Sequence, residues 1–438
     1  MKIDAELKWL VIISLAALVI RLGVSARFRN RLTPGEPVSA GKYEVEYLRD
    51  PYMELGDSQQ YLLLAENLRQ HRRFSWDGAP VTFRLPGYPL LIALLGNRVG
   101  LLVVVQSLLS ALSVLLVGLA AKGVYGRVAG LVSAGLMMID IPNILHCGMV
   151  MSESLFVVLV SGALVALVFR REWLGGLFLG MAALTRPIAI FTFVPVALFL
   201  SVRSGRSWFR VIVFLVGFGL LPGAWVLRNY RLFHRFGFSS NGGYNIFYAG
   251  AAELVAAEMG VGLDSARAVL VQRYQAELSG NNPLMVSERM ARTGLGIIMR
   301  EPVRFARIYL QSVLRIVFGI KADDLVLRMT EPGVRLARVG EVWAGGDGSA
   351  GMRRRVIFIL SAVELLSLML AIGLAVLAFF WKDKRAWWWL LAVMALYFVL
   401  LAAPLSDGRF RVPAVVFIYV LAGGGARWWL FRKKEARA

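Results

Sequence analysis

The feature that most constrains this chain is the recurrence of apolar runs divided by short turns rich in arginine and lysine. The runs fall at 9–25, 99–121, 128–141, 152–170, 173–200, 211–227, 356–381, 387–404 and 413–430. A helix needs about 20 apolar residues to cross a bilayer core, where every backbone polar group must be satisfied inside its own segment. A soluble domain does not need so many such runs, and 58% of the residues are hydrophobic. The fold class expected is therefore an all-α polytopic membrane protein. The run at 173–200 is interrupted by Thr185-Arg186-Pro187 and followed by Arg203, Arg206 and Arg210. Two short helices with a turn at Arg186 keep those arginines on the basic, cytoplasmic side. The count becomes about ten membrane helices.

A net charge of +21 raises the question of nucleic acid. Much of it lies beside apolar runs, at Arg170-Arg171, Arg203 to Arg210, Lys382 to Arg385 and Arg432 to Lys434. That is the pattern of cytoplasmic loops and of contact with anionic headgroups, and no nucleic-acid module is present. The single cysteine, Cys147, excludes an intramolecular disulfide and a cysteine-based metal cluster. Lys2 and Lys8 place the N-terminus in the cytoplasm, and the first run reads as a retained helix with Arg21 snorkelling outward near its far end.

These spans divide the chain into 1–227, a transmembrane module with a first outer loop at 25–98; 228–355, an outer-face region; and 356–438, the C-terminal transmembrane helices. In the middle region 239–245 reads as turn, 254–278 as helix, and 303–320 as an interfacial helix, because its apolar residues are studded with Arg304, Arg307 and Arg315. No block of sequence repeats.

Polar residues collect at the outer ends of these helices. In 55–68, Tyr61, Leu62, Leu64, Ala65 and Leu68 share one helical face, with Gln59, Gln60, Glu66 and Asn67 opposite and Asp57 at the head. Asp57 with Gln60 is a capping box; equally, it is a carboxylate held where lipid meets water. Arg84, Asp140, His146, Glu153, Arg186, Arg228, Asn229, Asp407, Arg409 and Arg411 fall on the same side. Plainer roles stand beside the functional ones. Glu153 suits a helix N-terminus, Arg186 and Arg228 suit interfacial anchors, and His146 suits polar surface rather than a metal. Asp323-Asp324 reads as solvent-facing. There is no Ser-His-Asp set, no glycine-rich phosphate loop and no Cys/His cluster. Arginines suit a phosphate, and a carboxylate suits proton abstraction from a hydroxyl. A lipid-linked phosphosugar matches both, and its phosphate leaves without a general acid.

The series Gly56-Asp57-Ser58 through Tyr61, RLPGYP at 84–89, Ser152 through Phe156, GLFLGMAALTRP at 176–187, PGAWVLRNY at 222–230, Asn241 through Asn245, and Arg409-Phe410-Arg411-Val412-Pro413 resembles the GT-C glycosyltransferases. The likeness is to the branch with protein O-mannosyltransferases and lipid A aminoarabinose transferases. The resemblance implies a GT-C fold with outer-face juxtamembrane helices and a polyprenyl-phosphate-sugar donor. It implies inverting transfer of a single sugar to a hydroxyl of a glycan, lipid or protein, outside the cytoplasm of a bacterial or archaeal inner membrane. By position Asp57 takes the base role and Glu153 is the second acidic residue, near the acceptor or a metal. Arg186 and Arg409 are the donor-phosphate candidates, followed by Arg84 and Arg228, with Tyr61, His146, Asn229 and Arg411 as further substrate-site positions. Many relatives carry paired acids in the first loop; here Ser58 follows Asp57 and the nearest preceding carboxylate is Glu54, so a divalent metal stays an open question. The rival readings are a transporter or flippase for a polyprenyl-linked sugar, and an assembly protein that holds a partner through 228–355.

Overall fold

The computed structural model describes residues 5–29, 38–40, 43–45, 57–76, 78–203, 208–330, 348–405 and 407–435; Glu54, Leu55 and Gly56, and much of the first outer loop, lie outside these. Each apolar run is helical: α1 (Ala5–Arg29), α4 (Val99–Tyr125), α5 (Arg127–Ile139), α7 (Glu153–Val168), α8 (Glu172–Thr185), α9 (Phe193–Arg203), α10 (Trp208–Phe233), α18 (Gly348–Leu377), α19 (Arg385–Ala402) and α20 (Val412–Glu435). Shorter helices fill the connections: α2 (Asp57–His71), α3 (Gly87–Leu94), α6 (Ile141–Cys147), α11 (Asn241–Asn245), α12 (Ala252–Met259), α13 (Leu263–Arg273), α14 (Gln275–Leu278), α15 (Pro283–Ile298), α16 (Pro302–Phe318) and α17 (Ala322–Thr330). Among the described residues strands form two short antiparallel pairs, β1 (Val38–Ala40) with β2 (Tyr43–Val45) and β3 (Ser75–Trp76) with β4 (Ala79–Pro80). Among the same residues six helices can cross a bilayer by length and composition, or up to eight if each of two bent pairs is one span. The bent pair Arg127–Cys147 and three shorter apolar helices account for the other runs expected to cross. This is an all-α polytopic integral membrane protein.

The expected break at Arg186 is present: α8 stops at Thr185 and a 3-10 turn, Pro187–Phe191, leads into α9. α8 is held tightly against α10 because the contact is made by glycines. A Cβ on Gly180 would stand 2.6 Å from the Phe218 carbonyl oxygen, and one on Gly176 2.7 Å from the Phe218 nitrogen. Small residues let helix backbones approach where lipid supplies no hydrophobic drive for association. The largest apolar core joins α1, α4, α5, α7 to α10, α16 and α18 to α20.

Arg21 departs from expectation. It does not snorkel but is wholly buried, where it donates to Ser110 Oγ at 2.7 Å and to the carbonyls of Ala17 at 3.2 Å, Met137 at 3.2 Å and Met138 at 3.3 Å. The last two belong to the end of α5, where the chain bends by 56° into α6. On the other side of the bend Asp140 caps α6, accepting from Asn143 N at 3.1 Å, and takes the Tyr419 hydroxyl at 2.6 Å. The orphan carbonyls and amides of a broken helix inside an apolar bundle are thereby matched by one cation and one anion.

Other expectations also shift. Pro86-Gly87-Tyr88-Pro89, whose two prolines and glycine read from sequence as a turn that stops a helix, instead opens one: α3 starts at Gly87 and Pro89 falls in its first turn, where a missing N–H costs nothing. The stretch 239–245 is mostly helix rather than turn; α11 packs on α15, with Gly243 N donating to Ser287 Oγ at 3.2 Å. Asp324 is not solvent-facing but buried, accepting from Arg328 Nε at 2.7 Å. The helix read as interfacial is α16, whose exposed stripe is Val303, Leu310, Leu314 and Phe318.

Candidate functional site

Helix α2 forms as its periodicity requires, burying Ser58, Tyr61, Leu64 and Ala65. Its N-terminus is pinned by Ser58 Oγ, which donates to the Val150 carbonyl at 2.9 Å, and by the Tyr61 hydroxyl, 3.5 Å from Ser152 Oγ. Asp57 therefore stands beside the segment that opens α7 with Glu153. Gly87 draws in the next turn. A Cβ there would lie 2.8 Å from both Leu184 O and Thr185 Oγ1, so only glycine lets the turn carrying Arg84 settle on the end of α8, next to Arg186.

Asp57 is held between two guanidinium groups. Arg84 pairs with Oδ1, and Arg409 Nη2 lies 3.2 Å from Oδ2. Arg84 is oriented by Gln60 Oε1, 2.7 Å from its Nε, and by the rings of Tyr61 and Phe83 at 5.1 and 5.0 Å. A second pair stands alongside: Arg186 Nη1 is 2.5 Å from Glu153 Oε1. The Glu153 carboxylate is buried, and the Arg186 guanidinium is the partner that matches its charge. The ring of Phe410 joins the two pairs, with the Arg186 guanidinium 5.6 Å from its centroid and that of Arg409 at 4.7 Å. Arg409 is within electrostatic reach of Glu153 and of His146.

The turn before α20 supplies the rest. Asp407 Oδ1 accepts from Arg409 N at 2.7 Å, and its Oδ2 accepts from Lys321 Nζ at 3.1 Å. Burial pushes the Asp407 carboxyl up, but the Lys321 ammonium and the Arg409 N–H outweigh it and leave the group below the ordinary carboxylate range. An open groove of about 680 Å³ borders this turn, lined by Leu314, Arg315, Phe318, Gly319, Ile320, Lys321, Asp407 and Gly408.

Asp57, Tyr61, Arg84, Glu153, Arg186 and Arg409 thus form one linked group. His146 lies at its edge, buried rather than on the surface, with Nδ1 2.6 Å from the Pro142 carbonyl. Three expected positions sit elsewhere. Arg228 bonds the carbonyls of Val81 at 3.0 Å and Phe74 at 3.2 Å, and Asn229 Nδ2 donates to Gly237 O at 2.8 Å, so the two fasten loops. Arg411 is buried against Glu364 and the Val317 carbonyl. Lys321 and Phe410 were not expected as site residues. Lys321 had a signal: it is the lone lysine between Lys122 and Lys382.

Among the described residues no three His, Cys, Asp or Glu side chains gather as a metal site needs. Among the described residues Asp57 and Glu153 each face a guanidinium rather than a further carboxylate. The group has the chemistry of an anion site with a carboxylate inside it.

No protein-family model matches the chain, and no curated protein matches it. Among solved structures it is similar to the archaeal oligosaccharyltransferase AglB from Archaeoglobus fulgidus in complex with an inhibitory peptide and a dolichol-phosphate, at 15% identity over 97% of this chain and 52% of that one, with a TM-score of 0.48. It is also similar to the Archaeoglobus fulgidus oligosaccharyltransferase tethered to an acceptor peptide, at 13% identity over 97% of this chain and 50% of that one, with a TM-score of 0.49. The chain spans about half the length of these structures. A likeness this loose assigns neither activity nor substrate.

Proposed function

We propose that the chain is a membrane glycosyltransferase of the GT-C kind. It moves one sugar from a polyprenyl-phosphate donor to a hydroxyl of a glycan, lipid or protein acceptor on the extracytoplasmic face, with inversion at the anomeric carbon. The observation that carries this reading is Asp57 set between Arg84 and Arg409. A carboxylate and a phosphate ask the same geometry of a guanidinium, so an arriving phosphate can take up these arginines and leave Asp57 free to face an acceptor hydroxyl. The hydroxyl oxygen attacks C1 as its proton passes to Asp57. The bond from C1 to the phosphate oxygen breaks, and its electron pair stays on the phosphate. Arg84, Arg186 and Arg409 neutralise that charge, which is why one carboxylate suffices. Glu153, buried against Arg186, is an acceptor for a substrate hydroxyl.

The test is sugar transfer or release from a labelled polyprenyl-phosphate sugar by the purified protein in detergent. Asp57→Asn should cut turnover by about 10²–10⁴-fold, the usual share of a general base, with thermal unfolding unchanged. Turnover retained in Asp57→Asn removes the base assignment. A flippase would release no sugar without a membrane to cross, and that outcome from the wild type would reject transfer altogether.

A further inference from the structure

Glu364 is the only acidic residue of α18, and an ionisable group within an apolar helix is costly unless it has work to do. Its partners are all donors. Arg411 Nη2 pairs with Oε1, while the backbone N–H groups of Lys321 and Ala322 each donate to Oε2 at 3.0 Å. Arg411 in turn bonds the carbonyls of Val317, at 3.2 Å, and Gly319. Both side chains of the ion pair are 4% exposed. One buried pair therefore grips the turn between α16 and α17 by two carbonyls and two amides. That turn meets the turn before α20 backbone to backbone: a Cβ on Gly408 would lie 2.7 Å from the Gly319 oxygen. The gripped turn carries Lys321, and its neighbour carries Asp407 and Arg409, joined through the 3.0 Å Lys321–Asp407 ion pair.

We infer that Glu364 is a positioning residue: with Arg411 it sets where Lys321 and Arg409 stand against the phosphate-binding group around Asp57. The inference rests on the transfer reading for what those cations hold, but the anchoring itself does not. Glutamine cannot replace this carboxylate, because each oxygen meets only donors and a Gln amide would turn its own N–H groups on one of them.

The test compares wild type with Glu364→Gln and with the double variant Glu364→Leu/Arg411→Met, which replaces the pair by apolar groups of similar size and keeps the fold from carrying an unpaired charge. Amide hydrogen exchange at Lys321 and Ala322 should speed up about tenfold or more in both, the loss of one charged hydrogen bond, while amides in the middle of α18 stay protected. Retention of polyprenyl phosphate, followed by native mass spectrometry, and the KM for the donor should each worsen about tenfold in the double variant even where its Tm recovers. Unchanged exchange at both amides overturns the anchoring. Recovered lipid retention together with recovered Tm in the double variant reduces the pair to a stability element. A wild type that neither retains the lipid nor turns over would instead reject the transfer reading, and the exchange result would still decide the anchoring.

Discussion

Arg21→Met should destabilise the protein by about 3–5 kcal/mol, the cost of removing one partner from a buried charged network. The side chain lost makes four hydrogen bonds, at 2.7, 3.2, 3.3 and 3.2 Å. Bonds to a charged group contribute about 1.5–3 kcal/mol each at most, and polar contacts between membrane helices average about 0.6 kcal/mol. Three of the four cross between helices, the Ala17 carbonyl lying in α1 itself, which brackets the result from below at about 1.8 kcal/mol. The desolvation recovered on deleting the guanidinium bounds it from above. The carbonyls of Met137 and Met138 end α5 at the bend and cannot be matched within the helix, so their loss is felt in full. Met fills the volume, which separates the polar effect from a cavity. The assay is reversible unfolding in mixed detergent and SDS micelles, read by tryptophan fluorescence. Asp140 stands within electrostatic reach of Arg21, so Asp140→Asn should cost at least about 1 kcal/mol less in the Arg21→Met background than alone. An Arg21→Met protein within about 0.5 kcal/mol of wild type, the range of an ordinary surface change, would mean that the guanidinium reaches water, and the account of the bend would fall.

Gly408→Ala must move backbone, since its Cβ would lie 2.7 Å from the Gly319 oxygen; a loss of about 1–3 kcal/mol is expected from overpacking, checked by Tm, with donor KM raised because the two turns part. Phe410→Leu removes the ring shared by Arg186 and Arg409 and should weaken polyprenyl-phosphate retention by about 0.5–2 kcal/mol, whereas an unchanged affinity would make the ring mere packing. The Asp407 carboxyl is held below its ordinary range, so its contribution is present above the unfolded value of about 3.9 and is lost as pH falls through the lower folded value. The Tm gap between wild type and Asp407→Asn should be flat from about pH 8 to 5 and close only below about pH 4; a gap that closes near neutrality, or persists unchanged at the acid end, contradicts the Lys321 pairing.

The membrane helices were legible because a bilayer leaves the sequence little freedom: the runs must be apolar, and the turns carry the basic residues. The break at Arg186 was legible for the same reason, through a proline and the side on which three arginines had to stay. The amphipathic face of α2 followed from its period. What periodicity cannot give is pairing over distance. Asp57 and Arg409 are 352 positions apart, and nothing in either stretch names the other. Arg228 and Asn229 looked like Arg409 in composition and position, yet their partners are backbone carbonyls, which carry no sequence signal at all. Glu364 was visible as a lone acid in an apolar helix, and it passed unremarked because a single carboxylate forms no motif.

The distinction that sorts these arginines is the kind of acceptor each meets. Arg21 and Arg228 bond backbone carbonyls at helix ends and loops. Moving the arginine strips buried carbonyls such as Met137 O of a charged donor and loosens the fold there. Arg84, Arg186 and Arg409 face carboxylates instead. Asp57 is partly exposed, and freed of its guanidinium groups it can be met by water or by a hydroxyl, so the exchange costs far less than stranding a carbonyl in apolar surroundings. The Asp57 group also carries one anion between two cations, an excess of one positive charge that a phosphate would cancel. Fold and site thus draw on the same residue type but place it against acceptors of different replaceability, and only the replaceable set lies where an anionic substrate could take the acceptor's place.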